Sequence, residues 1–206
     1  VQTFTPGNES LPQLAVSSSA EEWAKMARTL FLHKRYVQAM HSYERAGMPR
    51  ERAIANAYHL RDQARGISIR SRPGDNERRQ AYVKVAEAFL ASAQEATIIR
   101  ERNEYYRIAA EAFVVLDDHA QAAQTFEKAS MFTEAVQHYR HAGMFDEMVL
   151  VIKNHGNSMD SSVAAKLTDV ARYFYFQRGD LKCVPSYCPL LTTSQYYVQE
   201  SIASVL

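Results

Sequence analysis

Cysteine is scarce: the 206 residues contain two, Cys183 and Cys188, close together in CVPSYC. Two thiols cannot build a disulfide framework, and the second ligand pair of a zinc site is missing, so both are expected to be reduced cysteines of an intracellular protein. Nothing separates nucleus from cytoplasm. Long apolar runs are absent too. The longest aliphatic strings, such as MVLVI at Met148 to Ile152, fall far short of the ~20 residues a membrane-spanning helix needs, and no membrane partner is expected. An excess of one charge is also lacking, since 24 Lys and Arg stand against 23 Asp and Glu. A balanced chain has no global field for nucleic acid or acidic lipid, so any such binding has to come from a local patch. Among the seven glycines none opens a GxxxxGK[ST] string, so the backbone cradle and lysine of a nucleotide-hydrolysing loop are missing. No Ser or Cys has a catalytic neighbourhood such as GxSxG. No catalytic residue, cofactor or resident metal is expected. The opening VQTFTPGNES starts on Val1 rather than Met and has neither the basic start nor the apolar run of a signal peptide. It reads as a piece of something longer.

Strand-like alternation is missing as well, which points to an all-α chain. Residues 1–19, rich in Ser, Thr, Pro and Gly, read as an extended N-terminal arm whose Leu14 and Val16 can lie across the body. Residues 20–206 read as one helical-repeat domain. Ser19 followed by Glu21 and Glu22 supplies a helix start, because a hydroxyl caps free amides and carboxylates suit the positive end of the helix dipole. Trp23, Met26, Ala27, Leu30 and Phe31 then share one face. A second stripe runs through Tyr36, Ala39, Met40, Tyr43 and Ala46 and stops at Gly47; a third opens at Pro49 and continues through Ile54, Ala57, Tyr58 and Ala64. GISIRSRPGDN at 66–76 reads as a basic loop. Two long helices, about 77–96 and 99–116, are predicted to turn Ala86, Phe89, Leu90, Ala93, Tyr105, Ile108, Ala109, Ala112 and Phe113 inward. Shorter helices follow from Asp118, then one over about 161–178 and a last one from about Ser194.

One phrase recurs. KASMFTEAV at Lys128 is followed thirteen positions later by HAGMFDEMV, and ERAGMPRERAI at Glu44 is a third copy. Ten-residue helices are too short to be stable alone in water. Small Ala where helices cross allows close approach, and a Tyr or Phe nearby fills the groove beside it. The pattern A-x-x-x-aromatic-x-x-A thus predicts an α-solenoid of stacked hairpins with irregular repeats.

Trp23, Met26, Ala27, Leu30, Ala39, Tyr43 and Ala46 match the tetratricopeptide pattern in order and spacing, with Ala27 at the usual Gly position and Leu30 at the usual Tyr position. Ala122, Phe126 and Ala129, and Ala135, Tyr139 and Ala142, look like degenerate second helices of such a repeat, without the first-helix Trp and Leu. The wider string EEWAKMARTLFLHKRYVQAMHSYERAGMPRERAIANAYHLRDQAR resembles the tetratricopeptide-like region after the helicase core of large fungal UvrD-like helicase proteins, relatives of the tetratricopeptide-and-ankyrin-repeat protein also called lupus brain antigen. LPQLAVSSSAEEW and CVPSYCPLLTTSQYYVQESI extend the resemblance over most of the chain. It implies a parent protein with an ATP-driven motor outside these residues.

Two functional expectations follow. The first is a non-catalytic scaffold that contacts a partner protein or other domains of its own chain, with Lys34 and Arg35 as contact residues and Trp23, Tyr43, Phe126 and Tyr139 as packing residues. The alternative is an accessory segment binding single-stranded nucleic acid through Arg61, Arg65, Arg70, Arg72, Arg78 and Arg79, which fall within nineteen residues. Tyr82 is the one aromatic close to that loop. His119, His138 and His141 are expected on a solvated face between the apolar stripes, without a metal.

Overall fold

The computed structural model describes residues 18–70, 72 and 75–179. The arm at 1–17, both cysteines and the expected last helix lie outside the described residues. Among those described, regular structure is helical and no strand occurs: α1 (Ala20–Leu32), α2 (Tyr36–Arg45), α3 (Pro49–Arg70), α4 (Asn76–Glu95), α5 (Ile99–Val115), α6 (His119–Lys128), α7 (Phe132–His141), α8 (Phe145–His155), a 3-10 turn (Gly156–Ser158) and α9 (Ser161–Gln177). No helix of the described residues is long and apolar enough to cross a membrane. The residues divide into two compact units, with the boundary between Glu95 and Ala96.

The recurring phrase is a helix stop joined to a helix start. Gly47, Ser130 and Gly143 all sit in the left-handed region, at φ of 69°, 60° and 72°. After each one, the next amide reaches back five residues: Met48 N–H donates to Tyr43 C=O, Met131 to Phe126 and Met144 to Tyr139, each at 2.9 Å. This bond satisfies a carbonyl orphaned at the helix end. Lys34 (φ 59°) and Asp117 (φ 60°) make the same turn, with Arg35 N–H on Leu30 C=O and Asp118 N–H on Phe113 C=O. Five connections of one geometry therefore join successive helices, three of them written in the phrase. At Gly143 an added Cβ would meet nothing within 4 Å, so Gly143→Ala isolates the backbone cost of a left-handed residue. It should destabilise the C-terminal unit by about 1 kcal/mol, while Ser130→Gly should stabilise it by somewhat less. Chemical denaturation of both variants checks the pair, and equal effects would refute this account of the turn.

Side-chain caps start α1, α6 and α9. Ser19 Oγ accepts from Glu22 N–H at 3.2 Å while the Glu22 carboxylate accepts from Ser19 N–H at 2.8 Å, a reciprocal capping box. Asp118 and Asp160 cap α6 and α9 through their side chains. One boundary differs from the reading above, because α3 runs on through Gly66 to Arg70 and leaves 71–75 as the connection. A glycine inside a helix costs about 1 kcal/mol relative to Ala, too little to stop one whose next proline is Pro73 and whose Ile67 is half-buried.

In the N-terminal unit consecutive helices pack in order, α1 on α2, α2 on α3 and α3 on α4. Ala27, Leu30, Ala39, Tyr43 and Ala55 form one buried cluster. An aromatic relay crosses all four helices: Phe31 of α1 and Tyr36 of α2 both meet Tyr58 of α3, and Tyr58 meets Phe89 of α4 edge-on at 5.2 Å. In the C-terminal unit α5, α6, α7 and α8 also pack in order, with α9 against α7 and α8. Ala122, Ala123, Phe126, Ala135, Val136, Tyr139 and Met148 are buried there with Leu167 and Tyr175. The copies share a finer register. The residue before each repeated aromatic is Ser42, Thr125 or His138; the two hydroxyls are buried and donate to the carbonyl four residues back, Gln38 and Gln121. In the third copy that position holds an imidazole.

Candidate functional site

The arginines predicted to bind nucleic acid do not form one free patch. Arg61 is drawn into the aromatic relay: its guanidinium lies over the Tyr58 ring at 4.5 Å, and burial raises the pKa of the nearby Tyr36 hydroxyl above the ordinary value. Such a contact joins the charge to a ring face and covers apolar surface with the side-chain stem. Arg61 is thus a packing residue, and its nearest carboxylate, that of Asp62, is 3.9 Å away. Arg70 turns back on its own helix, with Nε–H donating to Gly66 C=O at 3.1 Å. Arg78 is half-buried, whereas Arg65, Arg72 and Arg79 are exposed.

Lys34 and Arg35, the expected contact residues, occupy the α1–α2 turn and are exposed. Lys34 is the left-handed residue of that turn, and Arg35 precedes the first residue of α2. Of the four expected packing residues, Tyr43, Phe126 and Tyr139 are buried. Trp23 is half-buried beneath the Arg45 guanidinium, 4.9 Å from its centroid. The Tyr139 hydroxyl donates to Glu127 at 2.8 Å, and burial first, then this carboxylate, holds its pKa well above the ordinary tyrosine value.

Two of the three histidines depart from the solvated face expected of them: His119 and His138 are half-buried, while His141 is exposed. His119 and His138 face each other with Nδ1···Nδ1 at 3.1 Å, and His141 lies 5.1 Å from His119 between ring centroids. His138 also stacks on Phe126, rings 5.3 Å apart and nearly parallel. Its place in the repeat explains this: an imidazole standing where the other copies carry Ser42 and Thr125 is too large to fold back on its own helix, so it covers the aromatic ring of the preceding copy. Asp117 lies 3.2 Å from His119 Nε2. With that N–H aimed at the carboxylate, a neutral His119 offers a lone pair at Nδ1 and accepts from His138, a tautomer assigned from the network. Among the described residues no group of three or more His, Cys, Asp or Glu is arranged to hold a metal ion.

The cluster makes stability depend on pH. Burial, then His119 and then His141, lower the His138 pKa against a smaller opposing effect of Glu134. Between that depressed value and the ordinary histidine value of about 6.5, the unfolded chain binds more protons than the folded one, so stability falls as pH is lowered through this window. The thermal midpoint should accordingly decrease from pH 7 towards pH 5, and His138→Gln should flatten that part of the profile. An unchanged profile in the variant would assign the decrease to other groups.

No family model matches the chain, and neither a curated protein nor a solved structure matches it.

Proposed function

We propose that the chain is a non-catalytic helical-repeat scaffold, an irregular tetratricopeptide-like α-solenoid that contacts a partner protein or other domains of its own chain. The observation that carries this reading is the five-fold use of one left-handed turn to join successive helices, several of them only ten residues long. Helices this short owe their stability to their neighbours, and stacking them leaves polar side chains displayed along a row of helices, the arrangement by which repeat proteins bind extended segments. The resemblance to the region that follows a helicase core fits an attachment module beside a motor. Protein contact is favoured over nucleic acid because Arg61 and Arg70 are already engaged within their own unit.

Panning a displayed peptide library against the chain tests the reading, together with anisotropy titrations of single-stranded DNA and RNA at low and near-physiological salt. Enriched peptides that bind at near-physiological salt are the expected result. No enrichment, combined with salt-sensitive oligonucleotide binding that Arg70→Glu with Arg72→Glu abolishes, would transfer the function to nucleic acid.

A further inference from the structure

Between α7 and α9 lies a cleft of about 250 Å³ lined by Gln137, Arg140 and His141 from one helix and Val163, Lys166 and Leu167 from the other. Its floor is apolar: Leu167 is buried and Val163 half-buried. Its rim is basic, since Arg140, His141 and Lys166 are all exposed and no carboxylate lines the cleft. In a chain of almost balanced charge this grouping is a local excess of positive potential.

Two neighbouring acids are turned to other uses: Asp160 caps α9 through the amides of Ser162 and Val163, and Asp169 pairs with Arg172. Lys166 acts on Asp160 only as the weakest of the influences on that carboxylate.

We infer that this cleft binds an acidic segment of a partner protein, seating a carboxylate among Arg140, His141 and Lys166 and an adjacent aliphatic side chain on Val163 and Leu167. The size favours one or two side chains over a compact metabolite, because small-molecule pockets usually occupy about 300–1,000 Å³. The surface beyond the cleft supports an extended partner. Tyr173 follows Lys166 by two helical turns on the same side of α9, about 10 Å along the axis, and its ring is 64% exposed. Half-buried Val170 lies between them. A segment leaving the cleft along α9 thus meets Val170 and Tyr173, with the Asp169 carboxylate, paired to Arg172, beside them. Complementary charge would steer the encounter and set the register, with apolar contact supplying adhesion.

This inference rests on the scaffold reading and names its partner chemistry. The decisive experiment is an anisotropy titration of the whole chain with a fluorescein-labelled peptide of alternating Glu and Leu, beside its Gln-for-Glu analogue. The Glu peptide should bind the more tightly, and Arg140→Glu with Lys166→Glu should weaken it roughly tenfold or more. Lys166→Glu alone, on the exposed rim of the cleft, should weaken it in the same direction and keeps the test open should the double variant fold poorly. Equal binding of both peptides, or undiminished binding by the variants, would overturn the assignment. So would displacement of the peptide by millimolar inorganic phosphate or by single-stranded DNA, which would make the cleft a general anion site. Peptides that emerge from the unbiased library but prove neutral or basic would remove the acidic-segment assignment and leave the scaffold standing; a library yielding no peptides, together with oligonucleotide binding that the arginine variants abolish, removes the scaffold itself.

Discussion

Phe89→Ala should lower the stability of the N-terminal unit by about 3–5 kcal/mol, the range for removing a buried aromatic ring when the surroundings cannot close over the space. Phe89 is fully buried, and its ring is the α4 end of the relay from Phe31 through Tyr36 and Tyr58. Truncation removes the α4 side's edge-on contact to Tyr58, leaving that of Phe31, and the Arg61 guanidinium then lies over a ring no longer held by Phe89. The sole tryptophan, Trp23, lies in α1 of the same unit, so its fluorescence during urea unfolding reports this transition. Phe89→Leu should recover more than half of the loss by refilling volume without restoring the aromatic edge contact. A loss below about 1 kcal/mol for the alanine variant would mean that the relay does not bind α3 to α4.

Ala135→Leu is expected to cost about 1–3 kcal/mol in the C-terminal unit, although leucine is a good helix former and is more hydrophobic. Ala135 has no exposed surface and is the small residue of the second phrase, equivalent to Ala39 and Ala122, which are also fully buried. Extra methylenes at such a crossing force the helices apart or the side chain out of its preferred rotamer. Ala135→Gly is the informative companion: it keeps the crossing open and should cost only about 1 kcal/mol, through the backbone. Circular dichroism during thermal unfolding measures both. A neutral leucine variant would show that the helices do not approach closely at this Ala, and the explanation of the repeat by small crossing residues would fail.

These two substitutions probe different levels of legibility. The inward position of Phe31, Tyr36, Tyr58 and Phe89 was readable from spacing, because a period near 3.6 residues marks one face of a helix whatever that face later meets. That they would meet one another was not readable, since the pairs lie on different helices and depend on how those helices cross. The arginine cluster shows the same boundary in reverse. Closeness in sequence suggested one free patch, but the Tyr58 ring beneath Arg61 and the Gly66 carbonyl that Arg70 reaches were not readable from it. The histidines carried a signal that could have been found: aligning Ser42, Thr125 and His138 before the repeated aromatics marks the imidazole as the exception.

Residue order alone settled the local matters: the all-helical character, the start of α1 at Ser19, the short helices after Asp118 and the stops at Gly47 and Gly143. Each follows from groups within about five residues of one another, through capping, backbone sterics and face periodicity. Packing settled the rest. It brought His119 to His138, placed Arg61 over Tyr58, and opened a basic cleft between Arg140 and Lys166. The physical reason is that a helix defines the directions its side chains point, whereas the distance and angle to a neighbouring helix depend on how both surfaces interlock. Charges and rings from separate helices become a site only after that interlocking has occurred.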